Sequence, residues 1–305
     1  MGKLAFVFSG QGAQYSGMGQ ELFISSHASA DIFQRADSIR PGTSIQCFNS
    51  SDEELALTCN TQPCMFAMEL AAAAALSSSG IKPDVVAGFS LGEIAALTYS
   101  GAVSFEDGFR LVCLRGELMQ TDAENFDSAM AAVLKLDDET VECLCAQFER
   151  VYPVNYNCPG QISVSGLRSE LEDFIKSVKA AGGRAVPLRV KGGFHSPFMA
   201  DAAKKFGESL KNVAFTKPQM PLYSDYTGLP YEGDFITLLS RQICNPVRWQ
   251  NIITHMIQTG VDTFIEIGPG ETLCGLISKT DASVRCLHVE DCTSLNKTVE
   301  EVGRC

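Results

Sequence analysis

The chain has 305 residues, of which 45% are hydrophobic, and a formal net charge of -12. This length and composition are typical of a globular protein with a sizeable core, either one large α/β domain or a large domain that carries a smaller one. The acidic balance argues against a general nucleic-acid-binding protein, and no stretch approaches the ~18 consecutive apolar residues of a membrane-spanning helix.

The cysteines give no sign of disulfides or of a metal site. All 12 are scattered along the sequence, several within apolar segments, and none forms a Cys-x-x-Cys pair. Cysteine and histidine do not cluster at the spacing of zinc ligands. The first apolar run ends at Ser9 and Gly10, which is typical of a first strand rather than of a signal peptide. We therefore expect a cytoplasmic protein with reduced thiols, no metal and no cofactor.

The first part of the chain alternates between strand and helix patterns. Residues 4–8 are predicted to form a strand, and a Gly/Gln/Ser loop and helical segments follow to about residue 79. A second strand over residues 85–88 leads into a helix after Ser90. Ser104 and Asp107 have the spacing of a capping box, which predicts a helix from there to about Gln120.

The pattern changes near residue 125 into a β-α-β-β-α-β series, which is the split βαβ or ferredoxin-like arrangement. Its predicted elements are a strand at 130–134, a helix at 138–149, strands at 151–156 and 161–165, a helix at 169–180 and a strand at 185–188. We interpret residues 125–190 as a small domain inserted into a larger α/β domain of residues 1–124 and 191–305. In the larger domain, a late strand at 263–267 precedes a Gly-Pro-Gly turn and a helix from about Thr272.

The segment Gly88-Phe89-Ser90-Leu91-Gly92 lies between an apolar run and a helix. Strand, Gly-x-Ser-x-Gly turn and helix together are the context of a nucleophile elbow. A Cβ atom at position 88 or 92 would clash with the backbone of so sharp a turn, and glycine avoids this. An ordinary glycine-rich loop is the alternative. The flanking strand and helix favour a nucleophilic Ser90, placed where free N–H groups at the helix start favour negative charge.

A serine nucleophile needs a base, and histidine is the usual base near neutral pH. Of the four histidines, His255 lies in a helical run, His288 in a late strand-like segment and His27 in a polar stretch. His195 lies in a glycine-rich loop just after the inserted domain, and such junction loops often carry chemistry. We therefore predict His195 as the base, with a histidine that serves only its loop as the alternative.

Arg115 is predicted to lie in the middle of the apolar stripe of its helix. Its neighbours on that stripe are Leu111, Val112, Leu118 and Met119. A guanidinium that faces the interior needs an anion, because an unpaired buried charge is costly. An internal Asp or Glu would satisfy Arg115, and so would a substrate carboxylate held by two hydrogen bonds.

The loop Ser9-Gly10-Gln11-Gly12-Ala13-Gln14 follows the first strand. Its glycines permit close approach of the backbone, so the N–H of Gln11 would complete an oxyanion hole with the N–H of Leu91. A dinucleotide or phosphate loop is not predicted, because neither Gly-x-Gly-x-x-Gly nor Gly-Lys-Ser/Thr is present there.

Six motifs, in this order, carry a resemblance to a known family: Gly10-Gln11-Gly12-Ala13-Gln14, Gly88-x-Ser90-Leu91-Gly92-Glu93, Arg115, Gly193-Phe194-His195-Ser196-Pro197, Asn245-Pro246-Val247-x-Trp249 and Glu266-Ile267-Gly268-Pro269-Gly270. Over essentially its whole length, the chain resembles malonyl-CoA:acyl carrier protein transacylases, including the malonyl acyltransferases of polyketide synthases. The resemblance implies an α/β fold: an α/β-hydrolase-like large domain with a mostly parallel sheet, plus an inserted ferredoxin-like small domain.

The resemblance also implies a mechanism, in fatty acid or polyketide biosynthesis. Ser90 would attack the thioester carbonyl of malonyl-CoA and become malonyl-Ser90. His195 would take the serine proton through Nε2 and return it to the departing thiolate. In this Ser–His dyad a main-chain carbonyl, which maps to Arg248, would orient the imidazole. The phosphopantetheine thiol of acyl carrier protein would then attack the acyl-serine, so ping-pong kinetics are expected.

The resemblance assigns binding roles as well. The N–H groups of Gln11 and Leu91 would hold the oxyanion, and Arg115 would bind the free malonyl carboxylate. Further residues expected to contact the substrate are Gln62, Phe89 and Phe194. An aromatic ring before His195 is similar to malonyl-selective rather than methylmalonyl-selective members, because it fills the space that an α-methyl group needs.

One residue departs from the family pattern, since Phe89 stands where the family usually has histidine. The exchange puts the usual acyl or pantetheine contacts in question, and an altered acyl preference is one alternative. A serine hydrolase that acts on acyl carrier proteins is another, because water and a thiol compete for the same acyl-serine. A non-catalytic carrier-protein adaptor is the third.

The resemblance gives malonyl-CoA and an acyl carrier protein as partners, and we expect a monomer that binds neither nucleic acid nor membrane. A basic patch is a further hypothesis for docking of the acidic carrier, with an ordinary solvated charged face as the alternative. The cations of this patch are Arg184, Arg189, Lys191, Lys204 and Lys205.

Overall fold

The computed structural model describes residues 2–188 and 190–303. Its strands are β1 (Lys3–Phe8), β2 (Val85–Gly88), β3 (Ser128–Leu134), β4 (Val151–Cys158), β5 (Gln161–Leu167), β6 (Arg184–Pro187), β7 (Val261–Ile267) and β8 (Arg285–Val289). Its helices are α1 (Gln20–Ser25), α2 (His27–Ile39), α3 (Thr43–Asn49), α4 (Asp52–Leu55), α5 (Thr58–Ser78), α6 (Gly92–Tyr99), α7 (Phe105–Glu124), α8 (Asp138–Cys145), α9 (Arg168–Ala180), α10 (Ala200–Leu210), α11 (Phe235–Cys244), α12 (Trp249–Gln258), α13 (Thr272–Thr280) and α14 (Cys292–Gly303). A single 3₁₀ turn spans Pro197–Met199 within the part of the chain so described.

A four-stranded parallel sheet of order β2-β1-β7-β8 forms the centre of the larger part. Strand β2 is buried along its whole length and β1 along all but its first residue, as expected for a parallel sheet covered on both faces. Phe8 lies opposite both Gly88 and Ile267, so these three strands end at the same edge of the sheet. Ligand sites in such sheets lie outside the carboxyl ends of the strands.

The second sheet is antiparallel, with the order β4-β5-β3-β6. Together with α8 and α9 it forms the β-α-β-β-α-β arrangement, and its core includes Val133, Ile162 and Phe174. Backbone hydrogen bonds join its edge strand β4 to the larger part. Val247 donates to the carbonyl of Val154 at 2.9 Å and accepts from the N–H of Tyr156 at 2.9 Å.

The predicted order of strands and helices is confirmed, including the α/β fold with one parallel and one antiparallel sheet. Ser104 caps α7 as predicted, because its side chain accepts a hydrogen bond from the N–H of Asp107. Two helix ends differ. Helix α7 continues past the expected Gln120 to Glu124. Helix α8 ends at Cys145 rather than at 149, and hydrogen-bonded turns follow Cys145 in place of the last helical turn. The domain boundaries 124/125 and 190/191 stay predictions, with β3 to β6 lying between them.

Among residues 2–188 and 190–303, 11 cysteines are free, and there is no group of three or more His, Cys, Asp or Glu side chains able to hold a metal ion. No helix of the same residues has the length and apolar character needed to cross a membrane.

Candidate active site

The turn between β2 and α6 holds Ser90 in a left-handed conformation, with a φ of 57°. A Cβ atom on Gly88 would lie 1.9 Å from the carbonyl carbon of Gly92. A Cβ atom on Gly92 would lie 2.4 Å from the carbonyl oxygen of Phe8. Both glycines are therefore required by contact with the backbone, which confirms the predicted clash. Serine at positive φ is strained, and such strain is characteristic of functional sites.

The Ser90 hydroxyl lies against the imidazole of His195, with 2.7 Å between Oγ and Nε2. The other ring nitrogen, Nδ1, lies 2.8 Å from the carbonyl oxygen of Gln242. A carbonyl only accepts hydrogen bonds, so Nδ1 carries the proton of the neutral ring. Nε2 is then the acceptor that faces the serine hydroxyl, which is the arrangement a general base needs.

The prediction that the main-chain carbonyl of Arg248 orients His195 is wrong, because the carbonyl of Gln242 binds the imidazole instead. Arg248 immediately precedes α12, and its carbonyl accepts a hydrogen bond from the N–H of Ile252 at 3.1 Å. Gln242 lies in the last turn of α11, where carbonyls have no partner within the helix. A carbonyl in that position is free to bind the imidazole.

His195 is 4% exposed, and burial lowers its pKa from 6.5 to about 3. The positive charge of Arg115 lowers this pKa further, while the hydrogen bond to the Gln242 carbonyl opposes the shift. The imidazole is therefore neutral at neutral pH and available to accept the serine proton.

Arg115 is 1% exposed and lies beside the nucleophile. One terminal nitrogen donates to Ser90 Oγ at 3.1 Å and to Gln242 Oε1 at 2.7 Å, and the other donates to Gln62 Oε1 at 2.9 Å. Burial lowers the pKa of its guanidinium to about 10. Within residues 2–188 and 190–303 it forms no ion pair, so the internal Asp or Glu considered for it makes no direct contact. Its direct acceptors are two amide oxygens and a hydroxyl, so a substrate carboxylate could still bind it.

One pocket contains the predicted catalytic and substrate residues together. It is lined by Gln11, Gln62, Phe89, Ser90, Leu91, Arg115, Met119, Met130, Asn155, Leu188, Val190, Phe194 and His195. Arg248 does not line it. The pocket lies at the carboxyl edge of the parallel sheet, where Ser90 follows β2. Met130 and Asn155 line it from the antiparallel sheet, and Leu188 and Val190 from the segment that leaves that sheet. The oxyanion roles of Gln11 and Leu91 stay predictions.

Phe89 forms a wall between this pocket and a neighbouring groove, since it lines both. Its ring packs edge-on against Trp249 with 5.5 Å between centroids. A Cβ atom on Gly10 would lie 2.8 Å from Cδ1 of Phe89, so the aromatic ring fills the space beside the first loop. The side chain is thus held by packing.

Three polar residues that support the site are not predicted from the sequence: Gln242 and Asp225, which are buried, and Tyr231, which is half-buried. The N–H of Ser90 donates to Asp225 Oδ2 at 2.6 Å, and Gln242 Nε2 donates to the carbonyl of Ser90 at 2.7 Å. One signal was available for Gln242, which is a polar residue on the apolar face that α11 buries with Leu239. Asp225 lies in an irregular segment where no periodicity marks it.

The contacts around the pocket do not test the hypothesis that a basic patch docks the acidic carrier. Arg184, Lys191, Lys204 and Lys205 are exposed, and Arg189 lies outside the described residues.

Comparison with known proteins gives one consistent result. Residues 5–303 match the family model described as an acyl transferase domain. Malonyl CoA-acyl carrier protein transacylase of Bacillus subtilis is 37% identical over 98% of this chain and 97% of its own, and that of Synechocystis is 34% identical over 96% and 99%.

Solved structures agree with this result. The malonyl CoA-acyl carrier protein transacylase of Clostridium perfringens has a TM-score of 0.96 at 39% identity, over 99% of this chain and 98% of that one. A malonyl-transacylase in complex with its type II PKS acyl-carrier protein has a TM-score of 0.94 at 32% identity, over 98% of this chain and 99% of that one.

Proposed function

The chain belongs to the acyl transferase domain family, and on that premise we propose that it transfers a malonyl group from malonyl-CoA to the phosphopantetheine thiol of an acyl carrier protein. It is an acyltransferase, and its relatives carry the name of malonyl-CoA:acyl carrier protein transacylase. The single observation that carries the assignment of residues is the meeting of Ser90, His195 and Arg115 at one hydroxyl oxygen.

In the first half-reaction, Ser90 Oγ attacks the thioester carbonyl while His195 Nε2 takes its proton. The carbon–sulfur bond then breaks, and the imidazolium returns the proton to the CoA thiolate. In the second half-reaction, the carrier thiol gives its proton to His195 and attacks malonyl-Ser90, and the serine oxygen leaves with that proton. The neutral state of His195, which its burial enforces, suits both steps. The N–H groups of Gln11 and Leu91 would stabilise the oxyanion of each step.

Arg115 supports a carboxylated acyl group. A buried guanidinium with only neutral acceptors gains a full charge partner when a carboxylate enters. Its position beside Ser90 Oγ suits the short distance between the two ends of a malonyl unit. Gln62 and Gln242 fix the guanidinium from behind, so little ordering is needed on binding.

Selectivity within the pocket would come from Phe194 and Phe89. Phe194 is 7% exposed and its carbonyl accepts the hydroxyl of Ser165 at 2.9 Å, so the antiparallel sheet fixes its position. Steric discrimination against an α-methyl group is worth about 1–3 kcal/mol. The influence of Phe89 on acyl preference stays a prediction.

We further propose that the enzyme is a monomer. We also propose a reducing, cytoplasmic setting, and the free thiols support this setting. The exposed cations Lys191, Lys204 and Lys205 would meet the acidic carrier protein. The hydrolase alternative is not favoured, because the relatives are transacylases.

Intact-protein mass spectrometry tests the proposed function. After mixing with malonyl-CoA, a malonyl adduct should appear on Ser90, persist without an acceptor and disappear when holo acyl carrier protein is added. Rapid loss of the adduct in the absence of carrier would support hydrolysis, and no adduct under any condition would support the adaptor alternative.

A further inference from the structure

Two fully buried carboxyl groups lie directly behind the nucleophile, and the mechanism above does not use them. Asp225 and Glu93 are both 0% exposed. Asp225 Oδ2 accepts the N–H of Ser90 at 2.6 Å, and the N–H of Asp225 donates to Glu93 Oε2 at 3.3 Å. Asp225 therefore anchors the strained backbone of the elbow, and Glu93 lies next to Asp225.

Gln242 connects this acid pair to the reacting groups. Its Nε2 donates to Glu93 Oε2 at 2.8 Å and approaches Asp225 Oδ2 at 3.3 Å. Its Oε1 accepts from Arg115, and its main-chain carbonyl accepts from His195. A change in the charge of the acid pair therefore acts on both the Arg115 guanidinium and the His195 imidazole through one residue, Gln242.

The charged and titratable groups that face Asp225 and Glu93 compensate only one negative charge. Helix α7 contributes the cationic Arg115. The loops contribute His195, which is neutral at neutral pH, and Tyr231, whose hydroxyl donates to Glu93 Oε1. Two ionised carboxylates against one guanidinium would leave an uncompensated charge in a dry interior, which is costly. Among residues 2–188 and 190–303, Asp225 Oδ1 finds no hydrogen-bond partner, which also disfavours an ionised Asp225. Burial raises the pKa of both acids, and the charge of Glu93 raises that of Asp225 further.

We propose that Asp225 and Glu93 hold one proton between them, so that their single negative charge balances Arg115 before the substrate binds, while Asp225 positions the backbone of Ser90. The proposal rests on the proposed function. Loss of the shared proton would place a second negative charge near the malonyl carboxylate. Malonyl transfer, and not acetyl transfer, would then weaken.

The experiment measures kcat/KM for malonyl-CoA and for acetyl-CoA from neutral to alkaline pH, in wild type, D225N and D225A. The amide introduced by D225N keeps an oxygen for the Ser90 N–H but fixes the charge of the pair at that of Glu93. We expect D225N to keep the same ratio of kcat/KM for malonyl-CoA to kcat/KM for acetyl-CoA from neutral to alkaline pH, whereas this ratio falls in wild type at alkaline pH. D225A removes the anchor of the elbow and should lose kcat about 10²-fold with both substrates.

The matched control is D122N. Asp122 is another buried aspartate that accepts a backbone N–H, that of Ala202 at 2.7 Å, and it does not contact Ser90, His195 or Arg115. It should show the alkaline loss of wild type. Arg115, with a pKa of about 10, also loses its proton at alkaline pH, and D225N does not prevent this. Only the part of the alkaline loss that D225N abolishes therefore belongs to the acid pair.

Two results would overturn the proposal. One is a D225N enzyme with the full alkaline loss of wild type, and the other is a folded D225N enzyme that loses as much activity as D225A near neutrality. Circular dichroism establishes folding of each variant, and E93Q, which also leaves one carboxyl group, should repeat the D225N profile. Failure of the proposed function is seen separately, as a wild-type enzyme that forms no malonyl-Ser90.

Discussion

The two sheets contribute to the pocket in different ways. Loops and helices around the parallel sheet supply Ser90, Arg115 and Gln242, which are joined by hydrogen bonds in a buried polar network. The antiparallel sheet supplies mainly walls, with Met130 from β3 and Asn155 from β4. The larger part thus supplies the reacting groups together with some of the walls, whereas the antiparallel sheet contributes only to the shape of the pocket.

His195 links the two parts. It lies in the loop through which the chain returns from the antiparallel sheet to the larger part, and its φ of 57° shows that the loop is tightly constrained. The residue before it, Phe194, is bound to β5 through Ser165. The comparison therefore predicts large effects of substitutions in the polar network and small, substrate-dependent effects of substitutions in the walls.

The largest effect is expected from S90A. Removal of the nucleophile leaves only binding and the oxyanion site, so malonyl transfer should fall by ~10⁴-fold or more. A quenched-flow assay with radiolabelled malonyl-CoA and holo acyl carrier protein measures the rate. S163A, a buried serine of the antiparallel sheet, is the matched control and should stay within about 3-fold of wild type. Similar losses in both variants would remove the distinction between the two regions.

The next effect is expected from R115A. A buried charge pair lost on one side costs about 2–5 kcal/mol, so kcat/KM for malonyl-CoA should fall by about 10²-fold or more. Acetyl-CoA has no carboxylate, and its kcat/KM should change far less. R110A is the control, because Arg110 is exposed and pairs with Asp107 on the surface. Equal losses with both substrates would contradict the role of Arg115 as a carboxylate site.

A smaller effect is expected at the walls. M130A enlarges the pocket from the antiparallel sheet and should reduce the preference for malonyl-CoA over methylmalonyl-CoA by about 10-fold, with little change in malonyl transfer itself. F89H restores the residue that the resembling family usually has, on the other wall. Competition assays with both CoA esters compare the two variants. A loss of malonyl turnover in M130A as large as in R115A would show that the antiparallel sheet does more than shape the pocket.

The smallest effect is expected from pH. The base form of His195 is lost only as pH falls through its pKa of about 3, so kcat/KM for acylation should stay flat through pH 6.5, where an ordinary histidine would titrate.

Stability behaves differently: between pH 6.5 and about pH 3 the unfolded chain binds a proton at His195 that the folded chain does not. This histidine therefore makes stability fall as pH falls through that window. Comparing melting curves of wild type and H195Q isolates this contribution, and an acylation limb near 6.5 would contradict the burial argument.

The sequence was most informative where one residue type is required by local geometry. Gly88 and Gly92 mark the elbow because no side chain fits there, and Arg115 was recognisable as a charge on an apolar stripe. The carbonyl that orients His195 could not be predicted in the same way, because every residue has a carbonyl. Which one is free depends on where α11 ends and α12 begins.

Asp225 illustrates the same limit. It contacts Ser90 across 135 positions of sequence, and nothing in its own neighbourhood indicates burial or a partner. The strand order was easier to predict, because apolar periodicity and turn residues are local signals. The missing parts of the site are contacts between segments that the fold alone brings together.

A structure of the enzyme trapped as malonyl-Ser90 tests the central claim most directly. We expect the free carboxylate of the malonyl group within hydrogen-bond distance of the Arg115 guanidinium, with the ester carbonyl oxygen facing the N–H groups of Gln11 and Leu91. A malonyl carboxylate that points to solvent, with Arg115 still bound only to Gln62 and Gln242, would contradict the account.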